Sequence, residues 1–347
     1  MNLEALNKIA VAMAAPGKGI LAADESSSTI KKRFDQIGVE STADNRRDYR
    51  EMLFRTEQAM RDHISGVILF DETIRQNAKD GTPLVKLIEK TGSIPGIKVD
   101  AGAKALAGAR PGETVTEGLD GLRERLAEYH KLGARFAKWR AVIEIGRGGD
   151  RSIPSWNCIK ANAHALARYA ALCQGANIVP IVEPEVLMDG DHGVDVCYDV
   201  TTWTLKTLYT ELYDANVPLE GTILKPNMVI AGKKAAQQAS VEEVAEKTVK
   251  CFRATVPAAV PGIVFLSGGQ SDVEATAHLN AMNAAYKDKM PWALSFSYGR
   301  ALQAAPQKAW SGKAENVPAA QKAFAHRARM NGLAQLGTWK ESLEKAA

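Results

Sequence analysis

Three lysines, Lys98, Lys138 and Lys225, sit among carboxylates and arginines at the ends of short apolar runs. A lysine held among apolar side chains and near other cations loses proton affinity, because its ammonium is poorly solvated and repelled. As a neutral amine it attacks a carbonyl, and the iminium that forms draws electrons out of the adjacent carbon–carbon bond. An aldol cleavage run without a metal needs that chemistry. Spacing alone leaves the nucleophile open among the three, although Lys225 follows Thr-Ile-Leu and precedes Pro226, which stiffens its loop. The histidines (His63, His130, His164, His192, His278 and His326) are scattered over helical and loop segments, and none is given a catalytic role. The string DGDHG at 189–193 has metal-ligand residue types but reads as a solvated turn. No metal and no cofactor are expected.

Two later segments have the make-up of anion sites. LSGGQSDVEA passes from an apolar run through Gly268 and Gly269 into a helix start, where free N–H groups and the positive dipole end cradle an anion. SYGRAL adds Ser297, a second glycine turn at Gly299 and the Arg300 guanidinium, suited to bidentate phosphate contact. Near the other end of the chain, SSSTIKKR (26–33) combines hydroxyls with Lys32 and Arg33, which reads either as a second phosphate grip or as a solvated basic helix face.

These residues are positioned by a repeated element. Eight β-branched-rich runs recur: GILAAD (19–24), GVILF (66–70), GIKVD (96–100), FAKWR (136–140), IVPIVEPE (178–185), TILKPN (222–227), IVFLSGG (263–269) and WALSFSYG (292–299). Their near-continuous hydrophobicity predicts parallel strands covered on both faces. Between them, 119–134, 161–177, 199–216 and 240–256 have helical spacing, and Ser240 with Glu243 and Ser271 with Glu274 fit capping boxes. Eight β-then-α units predict a (β/α)8 TIM barrel. A doubly wound sheet would carry G-x-G-x-x-G after its first strand, and GILAADESSS has none. Barrel active sites lie at the C-terminal strand ends, and here those ends carry Asp24, Lys98, Asp100, Lys138, Arg140, Glu183, Glu185, Lys225, Ser267, Ser297 and Arg300. So many converging ions read as a catalytic mouth rather than a structural ion-pair network.

With 347 residues, 46% hydrophobic and 24% charged, the chain can bury a full core and is not a disordered or disulfide-stapled protein. No linker or composition break appears, so 1–347 reads as one barrel domain, with 1–18 a surface helix and about 318–347 a helical tail decorating it. A net charge of +4 argues against nucleic acid as a partner. No stretch approaches the roughly 20 apolar residues of a membrane helix, so no membrane partner is expected. Cys158, Cys173, Cys197 and Cys251 are widely separated, which fits a reducing, cytoplasmic location. Trp156, Trp203, Trp292, Trp310 and Trp339 read as packing residues.

GILAADES, GVILF-x-E-T, GIKVD, FAKWR, IVPIVEPE, GDH, LEGTILKPNMV, LSGGQS, FSYGRALQ and KAW, in register over about 15–330, resemble the class I fructose-bisphosphate aldolases. The resemblance implies a Schiff base formed by Lys225 on the C2 ketone of fructose 1,6-bisphosphate. Glu183 would be the general acid/base, Asp24 would assist C3–C4 cleavage, and Lys138 would position the C4 hydroxyl and disfavour a second ammonium beside it. Glu185 and Arg140 would support the charge network. Ser267, Gly268, Gly269, Ser297, Gly299 and Arg300 would bind the C1 phosphate, and Lys98, Arg33 and Ser26 would handle the C6 phosphate. Family likeness further implies a phosphorylated sugar as the small-molecule partner, a place in glycolysis and gluconeogenesis, and a homotetramer.

Two features depart from the family pattern. Animal members end in a tail tyrosine that aids proton exchange on the enamine, whereas no tyrosine follows Tyr298 here. Ser28 also stands where the family usually has glycine, and a stiffer loop there would bear on C6-phosphate affinity. Sedoheptulose 1,7-bisphosphate and fructose 1-phosphate are the alternative substrates, and a non-enzymatic scaffold is the alternative role.

Overall fold

In the computed structural model, which describes residues 1–146 and 153–345, the eight runs close into one parallel barrel. In chain order the strands are β1 (Gly19–Ala23), β2 (Ile64–Leu69), β3 (Ile94–Lys98), β4 (Ala103–Ala105), β5 (Thr114–Thr116), β6 (Phe136–Ile143), β7 (Val179–Val186), β8 (Ile223–Leu224), β9 (Gly262–Phe265) and β10 (Ala293–Tyr298). Around the barrel they run β1-β2-β3-β6-β7-β8-β9-β10 and back to β1. The antiparallel hairpin β4–β5 is an insertion that the apolar runs did not reveal, because its first strand, Ala103–Ala105, is exposed throughout.

Glycines decide how the inside fills. A Cβ at Gly96 would lie 2.2 Å from the Phe136 ring, and one at Gly66 would lie 2.9 Å from it. Two strands therefore give up side chains so that one aromatic ring on a third can fill the space beside them.

The helix Leu3–Met13 is not the surface helix expected from its sequence. Leu6, Ala10 and Met13 are buried in one cluster with Ile20, Ile68, Phe136, Val179, Ile181, Ile223 and Val264, which come from six different barrel strands. The Ser65 hydroxyl, at the start of β2, donates to Met13 O at 2.6 Å, which fixes this helix across the N-terminal end of the barrel. The helix Val317–Leu336 is likewise no decoration. It buries Ala320, Phe324, Ala328 and Ala334 against the helices Arg300–Trp310, Asp272–Tyr286 and Glu57–His63. Past Gly337 the chain folds back, and Glu344 accepts from Arg327, from the indole of Trp339 at 3.0 Å and from His326 at 3.1 Å.

The predicted helices are present as Leu122–Lys131, Trp156–Gly175, Val194–Asp214 and Val241–Thr255. Ser271 and Glu274 make a complete capping box, whereas Ser240 caps the Glu243 N–H without the reciprocal bond. All four cysteines are buried and free. Trp292 and Trp310 pack as expected, but Trp156 and Trp203 do not: they are 54% and 37% exposed and stack on each other at 5.8 Å. Among the described residues no helix is long and apolar enough to cross a membrane.

Candidate active site

Side chains two apart on a strand point the same way, so each strand end delivers its ions in register. On β6, Lys138 and Arg140 share a face, and on β7 Glu183 and Glu185 do the same, with Arg140 paired in register to Glu183. Lys98 on β3 pairs in register with Lys138. Lys225 follows the two-residue strand β8, and its N–H still joins the ladder by donating to Val182 O at 2.8 Å. Two residues on, Asn227 accepts from the Val186 N–H at 2.9 Å and donates to the Thr201 hydroxyl at 3.1 Å, which holds the Lys-Pro-Asn turn rigid.

The result is a buried chain of ions. Glu183 lies between two ammoniums, with Oε1 3.2 Å from Lys225 Nζ and Oε2 3.3 Å from Lys138 Nζ. Lys138 reaches on to Asp24 at 2.7 Å. Burial pushes the Asp24 carboxyl up, but Lys138, with Lys225 and Lys98 behind it, outweighs this and holds it well below the usual carboxylate range. Burial likewise opposes charge on Lys138, yet Asp24, Glu183 and Asp100 raise its proton affinity above the ordinary lysine value. Lys138 and Asp24 thus each favour the other's charged form. Glu183 lies within hydrogen-bond reach of both lysines.

Around this chain, Lys98 bonds Asp100 Oδ1 at 2.8 Å and Arg140 bonds Glu185. Burial lowers Arg140, but Glu185 more than offsets it and keeps the guanidinium charged. All of these groups except Asp100 line a cavity of about 540 Å³ at the C-terminal strand ends, together with Ser26, Arg33, Ser267, Gly268, Ser297, Gly299 and Arg300. Of the residues chosen from sequence at the strand ends and glycine turns, Asp100 and Gly269 stay off the wall. Gly269 turns the loop behind the wall at φ +83°, where a Cβ would meet Met188 at 2.2 Å.

Seven basic side chains but only four acidic ones line the cavity, so it favours an anionic ligand. The buried Ser297 hydroxyl has no partner, as expected of a group awaiting one. Ser26 caps the helix Ser27–Asp35, and its hydroxyl also contacts Ser28 at 3.1 Å, so the glycine-to-serine departure adds a tether within this loop.

Sequence reading passed over Glu25, Arg50 and Gln303. Glu25 accepts from Arg33 at 2.5 Å and from Gln303 at 2.8 Å, and Arg50 donates to its carbonyl at 2.9 Å. Glu25 and Gln303 both lay inside quoted motifs, but nothing local tied one to the other. The DGDHG turn is solvated at Asp189, which pairs with Lys233, but His192 is buried, against expectation. No cluster of potential metal ligands is found among the described residues.

A family model described as fructose-bisphosphate aldolase class-I matches residues 5–347. This chain belongs to that family. A probable fructose-bisphosphate aldolase class 1 of Xanthomonas campestris pv. campestris is 61% identical over 341 residues, covering 98% of this chain and all of that protein. The fructose-bisphosphate aldolase of Echinococcus multilocularis is 52% identical, covering 100% of this chain and 94% of its own length. Among solved structures, the fructose-bisphosphate aldolase of Plasmodium falciparum, in a ternary complex with TRAP and a small-molecule inhibitor, superposes with a TM-score of 0.94. It shares 48% identity and covers 97% of this chain and 96% of its own. The fold of this class I aldolase is thus the (β/α)8 barrel that its strand pattern predicts.

Proposed function

We propose that this aldolase cleaves fructose 1,6-bisphosphate reversibly through a Schiff base on Lys225, without a metal. The observation that carries this reading is the buried Lys225 Nζ lying 3.2 Å from Glu183 at the floor of a cation-rich cavity. Lys225 passes its proton to Glu183 and attacks the C2 ketone as a free amine. The carbinolamine oxygen takes a proton from Glu183 and leaves as water, giving the iminium. Glu183 then removes the C4 hydroxyl proton. The O–H electrons form the aldehyde, the C3–C4 bond breaks, and its electron pair neutralises the iminium nitrogen as an enamine. Asp24 and Lys138, fixed as an ion pair, orient the C4 hydroxyl and stabilise the charge that moves past it.

After glyceraldehyde 3-phosphate departs, a proton returned to C3 and a water added at C2 release dihydroxyacetone phosphate. Glu183, water or a different tail contact delivers the C3 proton. Ser267, Ser297, Gly299 and Arg300, with the loop at Gly268 and Gly269, take the C1 phosphate. Arg33, Ser26 and Lys98 take the C6 phosphate, and Arg140 and Glu185 complete the charge network. A cytosolic relative in Arabidopsis thaliana, 55% identical over 325 residues, supports a cytoplasmic, glycolytic and gluconeogenic role. The exposed Trp156–Trp203 stack fits a homotetramer that buries it.

Borohydride delivers hydride to an iminium carbon and makes the linkage permanent. With dihydroxyacetone phosphate it should inactivate the protein and add the sugar's mass, Lys225→Met should abolish the adduct, and EDTA should leave cleavage unchanged. An adduct that survives Lys225→Met moves the nucleophile elsewhere.

A further inference from the structure

The two anion grips are built on elements at opposite ends of the chain, where β1 and β10 pair directly, and one buried side chain adds a hydrogen-bonded link behind that pairing. Gln303 is 1% exposed and lies one helical turn after Arg300 on the helix Arg300–Trp310. Its Nε2 spends both hydrogens on the other side of the mouth, on Ala22 O at 2.6 Å and Glu25 Oε1 at 2.8 Å. Its Oε1 lies 3.2 Å from the Tyr49 hydroxyl, a donor that burial keeps protonated. Two acceptors face the nitrogen and one donor faces the oxygen, so the carboxamide has one orientation.

Beyond Glu25 the connection continues. The same Oε1 accepts from Arg33 Nη1 at 2.5 Å, and Arg33 lines the cavity. Ala22 is two residues before Asp24, on the strand that opens into the Ser26 loop. Glu25 is itself 6% exposed and fixed from behind by the Arg50 guanidinium, whose Nη1 is pinned on the Thr73 hydroxyl at 2.6 Å. The Arg300 helix is thereby tied through hydrogen bonds to Arg33, and this strap reinforces the direct pairing of β1 with β10.

We propose that Gln303 is a positioning residue that fixes the span between the two phosphate grips and so selects ketoses phosphorylated at both ends over those phosphorylated only at C1. This rests on the substrate reading above. It assigns Gln303 no contact with the sugar, since its partners are Ala22, Glu25 and Tyr49. Without the strap, Arg33 keeps its charge but loses its fixed place, so the cost falls on binding of the distal phosphate.

The test is to measure kcat and KM for fructose 1,6-bisphosphate and fructose 1-phosphate in the full chain and in Gln303→Met, with thermal unfolding as the check on folding. The expected result is about a tenfold or greater loss in kcat/KM for the bisphosphate, carried by KM, and a change under about threefold for the monophosphate. Tyr49→Phe removes only the hydroxyl behind Gln303 and should move the same ratio by about threefold. If Gln303→Met is unfolded, Tyr49→Phe decides alone. An unchanged ratio of the two kcat/KM values, whether both fall or neither does, overturns the positioning role while leaving the aldolase reading intact. A wild-type chain that cleaves neither sugar overturns the reading itself and this inference with it.

Discussion

The two ends of this barrel are made from the same strands and have opposite characters. At the N-terminal end, Leu6, Ala10 and Met13 press into an interior of Ile20, Ile68, Val179 and Ile223, and no charge enters that cluster. At the C-terminal end, further along β1, β6, β7 and β8, Asp24, Lys138, Glu183 and Lys225 are packed within a chain of contacts no longer than 3.3 Å. Burying ions in this way opposes stability unless every charge is matched. The comparison teaches that the closed end supplies the rigidity and the open end uses it. Buried ammoniums can be held in place because the strands carrying them are locked by apolar packing below.

The division can be broken from either side. Glu183→Gln removes the proton acceptor shared by two lysines and should lower kcat by roughly 10²- to 10⁴-fold, measured by coupled assay, with slowed formation of the borohydride adduct. Unfolding should shift far less, and a collapse in stability equal to the loss in rate would mean that the mouth, too, is structural. Leu6→Ala attacks the other end. It should cost about 2–5 kcal/mol in urea denaturation while leaving KM at the wild-type level. A variant of normal stability and poor KM would show that the helix Leu3–Met13 acts on the site and not on the barrel.

The smallest effect is in pH. Because the folded carboxyl of Asp24 is depressed below 3.8, its contribution to stability is complete above that value and is lost as pH falls through the folded one. Lys138 is raised above 10.5, so its contribution is complete below that value and lost as pH rises beyond it. The stability difference between wild type and Asp24→Asn should therefore be flat from about pH 5 to about pH 9 and narrow on further acidification. A difference that varies steadily across neutrality would contradict the ion pair.

Much of this was legible in the chain because it is local. Each barrel strand announces itself by an apolar run, and each catalytic candidate sits at the end of one, so order along the sequence maps directly onto order around the mouth. What escaped depends on contacts between distant segments. Glu25 and Gln303 are 278 residues apart, and no spacing rule links them. The amphipathic face of Leu3–Met13 was readable, but what covers it was not. The helix Val194–Asp214 begins five residues earlier than its pattern indicates, because Gly193 offers no side-chain cap to mark the start. The hairpin β4–β5, exposed along its first strand, has no buried face there to leave a periodic trace.

The ring of Phe136, seated in the space left by Gly66 and Gly96, has one more implication. With that ring beside β2 and β3 and the helix Leu3–Met13 packed beneath it, apolar side chains fill the N-terminal end of the barrel. Passage of reactant and products is thereby left to the C-terminal mouth. On the proposed chemistry, the three-carbon aldehyde must depart past its tethered sister fragment, so the sequence of departures is imposed by architecture as well as by bonding.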